Sequence, residues 1–253
     1  MMRLVAFLSD FGFSVYVGVV KGVILSLCPS TRIVDLTHAV TPFAVREGAW
    51  YLLTSYSYFP EGTIFLAVVD PGVGGPRQPL AIRTQRYYFV GPDNGLLFPA
   101  AEEDGIEEVV ALWRHRGASR TFEARDVFAP AVARLAKGEP LASLGHPTTI
   151  EVRLRFHRQG REGEVVVIDS FGNVITNLPP LPGAGYYQLR SATGIEMTLP
   201  FYPTYAEAPR EKLFLTTGSA GTLEIALREG RAADLLPLPP GTIVELVATN
   251  PLP

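Results

Sequence analysis

Thr63-Ile64-Phe65-Leu66-Ala67-Val68-Val69-Asp70-Pro71-Gly72-Val73-Gly74-Gly75 decides the fold class. Its first seven residues are apolar or β-branched without alternation, the pattern of a central strand covered on both faces. The run ends on a carboxylate and a glycine-rich turn. Outward on both sides the same alternation of strand and helix signals recurs. Upstream, residues 3–8 form a short apolar run read as a buried strand, and 16–27 carry apolar residues at helical spacing before Pro29. Residues 32–36 are strand-like. Thr41-Pro42 reads as a helix cap with proline in the first turn, leading an amphipathic helix over 44–58. Downstream, 79–84 and 86–90 read as a hairpin, 108–112 as a strand, and 127–137 as a helix that Gly138 closes. This order predicts an α/β layered domain with a central sheet.

From residue 164 the texture changes. Residues 164–169, 187–190, 196–199, 213–216, 222–227 and 242–247 are short strand patterns between Gly and Pro turns, with no good helix among them. That predicts a smaller all-β, barrel-like domain. The expected division is an N-terminal α/β domain over 1–157, a charged linker over 158–163, and a C-terminal β domain over 164–253.

Composition narrows the function classes. The chain has 253 residues, is 47% hydrophobic and has a net charge of -3. It has no broad basic field, so a nucleic-acid partner is not expected. No stretch approaches the roughly 20 apolar residues of a membrane span. Residues 1–8 are too short for a secretory signal. The single cysteine, Cys28, cannot pair internally and reads as a buried structural thiol, which suits a reducing, cytoplasmic setting. The four histidines His38, His115, His146 and His157 lack metal-ligand spacing, so no metal is expected.

Three aspartates stand where a strand gives way to a glycine turn: Asp10 in Ser9-Asp10-Phe11-Gly12, Asp70, and Asp169 in Asp169-Ser170-Phe171-Gly172-Asn173. Carboxylates beyond the carboxyl ends of strands are well placed to accept hydrogen bonds from a ribose diol or to hold a cation. Any one alone reads more readily as a turn-forming Asx residue or a helix cap, and it is the three together that point toward a site. Gly72-Val73-Gly74-Gly75 lacks the Gly-Lys-Ser/Thr ending of a phosphate loop. Gly91-Pro92-Asp93-Asn94-Gly95 is a tight turn that could also lend a side chain to a ligand. Ser219, in Thr217-Gly218-Ser219-Ala220-Gly221, precedes a strand pattern rather than a helix. It reads as a turn able to hold a carboxylate rather than as a nucleophile elbow.

Taken in order, these blocks resemble one family. Ser9-Asp10-Phe11-Gly12, Val34-Asp35-Leu36-Thr37-His38, Val69-Asp70-Pro71-Gly72-Val73-Gly74, Gly91-Pro92-Asp93-Asn94-Gly95, Arg125-Asp126-Val127-Phe128-Ala129-Pro130, Asp169-Ser170-Phe171-Gly172-Asn173 and Gly218-Ser219-Ala220-Gly221-Thr222-Leu223-Glu224 follow its sequence. The family is the S-adenosyl-L-methionine hydroxide adenosyltransferases, hydrolytic relatives of the fluorinase and chlorinase enzymes. The resemblance implies cleavage of S-adenosyl-L-methionine by water, giving adenosine and methionine, with no cofactor. It implies a homotrimer with its sites at subunit interfaces. It implies that Asp10 holds the ribose hydroxyls, that Phe43 stacks near the ribose or sulfonium, and that Asp169 and Ser219 hold the methionine end. Phe171 and Asn173 would contact adenine, and Glu224 marks a recurrent position of open role. Asp70 and Arg77 match two of the family's three proposed water-activating residues. At the third, where a histidine is expected, this chain has Glu123, a candidate catalytic residue whose carboxylate could still accept a proton or bind Arg77, while adding a second negative charge close to Asp70. Halogenating relatives carry an aromatic hydroxyl in place of Asp70, a longer insertion after it, and an arginine in place of Ala220. A halogenase and a non-catalytic S-adenosyl-L-methionine-binding or adenosine-binding protein stand as the alternatives.

Overall fold

The computed structural model describes residues 4–249, which divide between Leu154 and Arg155 into two compact units. The first contains a seven-stranded mixed sheet. Its strands are β1 (Leu4–Ser9), β2 (Arg32–Thr37), β3 (Ile64–Val68), β4 (Pro79–Thr84), β5 (Tyr88–Pro92), β6 (Ile106–Leu112) and β7 (Gly145–Pro147), in the spatial order β2-β1-β3-β5-β4-β6-β7. β1, β2, β3 and β5 run parallel, whereas β4, β6 and β7 pair antiparallel. The predicted hairpin of β4 and β5 is present.

The unbroken apolar strands are explained by covering on both faces. On one side Val5, Phe7, Ile64 and Leu66 pack with Val20 and Ile24 of α1 (Val15–Leu27) and with Val132 and Leu135 of α4 (Ala129–Ala136). Toward α2 (Val45–Ser55), Gly48 lies so close to Leu8, Val69 and Leu96 that a Cβ would crowd Leu96. The short α3 (Phe98–Glu103) packs beside α2. Phe65 and Phe89 stack with centroids 5.2 Å apart, and Tyr56 and Tyr87 meet them edge-on. Such aromatic pairs contribute about 0.5–1.5 kcal/mol each beyond their buried area. Cys28 is buried, as expected of a structural thiol.

Two local expectations are corrected. Thr41-Pro42 does not cap a helix. α2 begins at Val45, after a turn in which Ala44 N–H donates to Thr41 O, and Phe43 has a left-handed backbone, φ 69°. The helix expected over 127–137 starts earlier, through a widened π-type turn, Ala124–Phe128, before α4; Gly138, φ 90°, ends it as predicted.

In the second unit the named strands all pair antiparallel. It comprises β8 (Glu162–Ile168), β9 (Val174–Thr176), β10 (Tyr186–Ser191), β11 (Glu196–Pro200), β12 (Leu213–Thr217), β13 (Leu223–Leu227) and β14 (Ile243–Thr249), ordered β11-β10-β14-β8-β9-β13-β12. Phe201, just past β11, bridges Leu215 of β12, which nearly closes the sheet into a barrel. The six strand patterns read from sequence are all there. β9 and the four-residue helix α5 (Ala232–Leu235) escaped that reading because each is shorter than a period pattern can register. Within residues 158–163 the chain makes a tight turn, Gln159 bridging Glu162, and β8 starts at Glu162. The core gathers Val165, Tyr187, Leu189, Leu215, Ile225 and Leu246.

Candidate active site

The mixed topology of the first sheet collects chemistry at one edge. The four parallel strands all end there. β4 runs the other way and so begins there, with Pro79 opposite Pro92. β6 is antiparallel to β4 and ends there, with Ala111 opposite Leu80. Asp10 follows β1, His38 follows β2, Asp70 follows β3, Arg77 precedes β4 and Arg114 follows β6. Residues remote in sequence thus share one rim, where ligands of such sheets bind.

The loop from β2 is tied to the end of β1. Phe43 N–H donates to Asp10 Oδ2 at 2.9 Å, and Gly12 N–H donates to His38 O at 2.8 Å. Ser9 Oγ and His38 Nδ1 are 2.7 Å apart, and His38 Nε2 lies 2.9 Å from Asp35 Oδ1. Lys21 Nζ donates to Asp35 Oδ2 at 2.6 Å. Burial pushes the Asp35 carboxyl up, but hydrogen bonds from Lys21 and His38 outweigh it and leave the group below its ordinary range. The Phe43 ring is exposed although its backbone is strained. A left-handed aromatic residue costs on the order of 1–3 kcal/mol, a strain typical of ligand clamps.

Asp70, Arg77, Glu123 and Arg114 form a chain of alternating charge. Arg77 Nε donates to Asp70 Oδ1 at 3.1 Å, and its NH2 donates to Asp70 Oδ2. Arg77 NH1 faces Glu123 Oε2 at 2.5 Å, an ion contact without hydrogen-bond alignment. Glu123 Oε1 accepts from Arg114 Nε, also at 2.5 Å, and Arg114 NH2 donates to Arg77 O at 3.0 Å. The Asp70, Arg77 and Glu123 side chains are 6%, 10% and 3% exposed, so these charges depend on one another for solvation. The Arg77 guanidinium also lies 5.6 Å over the Phe128 ring. Gly74 is indispensable to the loop's course: its φ is 76°, and a Cβ would collide with Arg120 O. A cavity of about 590 Å³ opens beside Asp10, Phe43, Asp70, Phe122 and Glu123. Phe11, Tyr16 and Phe122 meet edge-to-face along it.

The second unit holds its own cluster in the turn between β8 and β9. Asp169 Oδ1 accepts from Phe171 N–H and Asn173 N–H, and Oδ2 accepts from Asn173 Nδ2, each at 2.9 Å. The turn leaves the Phe171 ring exposed. Tyr205 OH donates to Glu224 Oε1 and lies 3.5 Å from Asn173 Nδ2. Gly218 admits the Glu224 carboxyl, which a Cβ there would strike; Ser219, next in that turn, is exposed. Burial, reinforced by the Asp169 charge, pushes the Glu224 carboxyl up to about 7. A raised carboxyl pKa stabilises the fold below the ordinary value, and this support is lost as pH rises from about 4.5 to about 7. Glu224→Gln is therefore expected to flatten the pH dependence of the melting temperature over that window, raising it by several degrees at pH 8. A parallel pH dependence in both proteins would contradict the assignment.

The structure thus brings Asp10, Phe43, Asp70, Arg77 and Glu123 together in one unit, and Asp169, Phe171, Asn173, Ser219 and Glu224 in the other. Reading the sequence missed Arg114 and Tyr205. Arg114 lies in the basic run Trp113-Arg114-His115-Arg116, which resembles a solvated face until β6 is known to end at the site. Asp93 and Asn94 are structural: Asp93 accepts from Glu151 and Val152 N–H, and Asn94 Nδ2 donates to Val69 O. Among the described residues, no group of three His, Cys, Asp or Glu side chains is placed to hold a metal ion, and no helix is long and apolar enough to cross a membrane.

The sequence profile of the SAM hydroxide adenosyltransferase N-terminal domain matches residues 5–145, and that of the C-terminal domain matches residues 163–245. The chain is 39% identical to the (R)-S-adenosyl-L-methionine hydrolase of Thermus thermophilus, over 97% of this chain and 100% of that one. A protein of the same description from Methanocaldococcus jannaschii is 33% identical over 93% of this chain and 92% of that one. A fluorinase from an Actinoplanes species is 31% identical over 81% of this chain and 84% of that one. The crystal structure of a conserved protein from Thermotoga maritima superposes with a TM-score of 0.89 at 35% identity, covering 96% of this chain and 100% of that one.

Proposed function

Since this chain belongs to the S-adenosyl-L-methionine hydroxide adenosyltransferase family, we propose that it hydrolyses S-adenosyl-L-methionine to adenosine and L-methionine. The observation that carries this reading is the buried Asp70–Arg77 pair beside a nucleoside-sized cavity. The substrate is a sulfonium cation, so methionine departs as a neutral thioether and needs no general acid. What the enzyme must supply is a nucleophile held in line with the 5′ carbon and the sulfur. A water gives its proton to Asp70 as its oxygen bonds to the 5′ carbon. The carbon–sulfur bond breaks with its electron pair going to sulfur. Arg77 stabilises the developing hydroxide charge and fixes the Asp70 carboxylate.

The Asp10 carboxylate, oriented by Phe43 N–H, receives the ribose hydroxyls. The exposed Phe43 ring faces the sulfonium, a cation–π attraction of about 0.5–2 kcal/mol. In the second unit Asp169 and Ser219 take the methionine end, and Phe171 and Asn173 take adenine, with Glu224 beneath them. In this reading the protein is a cytoplasmic homotrimer, the first unit of one protomer being completed by the second unit of its neighbour. No cofactor takes part.

Chromatography after incubation with S-adenosyl-L-methionine and chloride tests the proposal. Adenosine and methionine are expected in equal amounts, with turnover untouched by a metal chelator. Accumulation of 5′-chloro-5′-deoxyadenosine would establish the halogenase instead, and tight binding without products would establish a binding protein. Asp10→Ala is expected to raise KM about tenfold while changing kcat less, since a ribose contact is made equally in the ground and transition states. A kcat loss at constant KM would assign Asp10 a different role.

A further inference from the structure

Resting on the hydrolytic reading of this same site, we infer that Arg114 is a positioning residue of the reaction, acting through Glu123 to keep Arg77 seated on Asp70 and the buried charge set neutral. Glu123 occupies the position expected for a histidine that would touch the attacking water. Its side chain is 3% exposed, and Oε2 is sealed from solvent and turned to Arg77 NH1. That oxygen cannot take a proton from a water in the cavity. It holds the far side of the Arg77 guanidinium, whose near side is bidentate on Asp70. Its other oxygen, Oε1, accepts from Arg114 Nε, so Glu123 too acts here as a positioning residue.

This arrangement creates an electrostatic problem that Arg114 solves. Asp70, Arg77 and Glu123 alone carry one net negative charge in a buried setting. An anionic nucleophile forming beside them would be opposed by that charge. Arg114 brings the set to zero through its contact with Glu123 Oε1. It also donates to Arg77 O, so one guanidinium grips both the carboxylate and the main chain of the residue it serves. The sheet makes the pairing possible: Arg77 enters β4 and Arg114 leaves β6 at the same edge. An ion pair with one exposed partner commonly contributes little. Here the Glu123 end is buried, so loss of Arg114 leaves two carboxylates sharing Arg77 alone, one net negative charge beside the nucleophile.

The test is steady-state kinetics over pH for Arg114→Ala, Arg114→Lys, Glu123→Gln and the double variant Arg114→Ala/Glu123→Gln. Arg114→Ala is expected to lower kcat at neutral pH about 30-fold with KM within about threefold, and to regain rate toward alkaline pH, because the nucleophile is harder to deprotonate beside a net negative set. Arg114→Lys should recover part of the loss, since charge returns without the fork. The double variant should turn over about tenfold faster than Arg114→Ala, because the carboxylate that needed neutralising is gone. It also contains no uncompensated buried charge, so it carries the test if Arg114→Ala fails to fold. A purely structural role predicts lower stability with an unmoved pH profile. Wild-type kcat and pH profile in Arg114→Ala, or a double variant no faster than that single one, overturn the inference while leaving the hydrolase intact. A wild-type chain that releases no adenosine overturns both.

Discussion

Arg77→Ala is expected to lower kcat for adenosine release by about 10²–10³-fold, with KM within about threefold of wild type. The guanidinium is held between two carboxylates, so in the proposed mechanism it acts as a fixed positive charge rather than as a flexible arm. A group so placed acts mainly on charge that develops during attack, which is why the loss should fall on turnover. Asp70→Ala should lose a comparable factor, because it removes both the proton acceptor and the anchor of Arg77. The two losses should not multiply in the double variant, since each residue works through the other. Product chromatography under saturating substrate measures all three. Wild-type turnover in either single variant would remove these residues from the mechanism.

The second large effect is expected at Asp169. Its carboxylate fixes two main-chain amides and the Asn173 side chain, so it shapes the whole turn that carries Phe171 and Asn173. Hydrogen bonds to a charged group contribute about 1.5–3 kcal/mol, so Asp169→Ala should weaken substrate binding by about 10–100-fold. Calorimetric titration with S-adenosyl-L-methionine checks this, and unchanged affinity would exclude the turn from the site. Mixing subunits separates the trimeric arrangement from a site built within one chain. At low substrate, co-expressed Asp70→Ala and Asp169→Ala chains should be more active than either alone if the proposed trimer is right, because some sites then receive both intact halves.

The alternation of strands and helices was legible because strands covered on both faces must be continuously apolar, as residues 63–69 are. The barrel was legible from strand patterns separated by Gly and Pro turns. The start of α2 was not. Thr41-Pro42 satisfies every local rule for a helix entry, but the chain uses that turn to bring Phe43 N–H onto Asp10, a contact between residues 33 positions apart. The candidate site residues were legible as carboxylates at strand ends, where Asp10, Asp70 and Asp169 do stand. Arg114 and Tyr205 were not, because each acquires its role only through a partner chosen by the tertiary fold: Glu123 for one, Glu224 and Asn173 for the other. Glu123 shows the same limit from the opposite side. Its position was known from the motif, but the direction of its carboxylate was not.

The meeting of strand ends at one edge of the first sheet has a bearing on how the molecule acquires activity as it folds. The β4–β5 hairpin can close locally, but Asp10, Asp70 and Arg114 reach a common rim only after β1 has paired with β3 and β6 with β4. Those pairings close long loops and are slow compared with hairpin closure. A half-formed sheet therefore holds the charges apart, each in water, where none can hydrolyse anything. In the proposed trimer, competence requires these long-range pairings and then the neighbour's second unit, so a nascent or partly folded chain is expected to show no turnover.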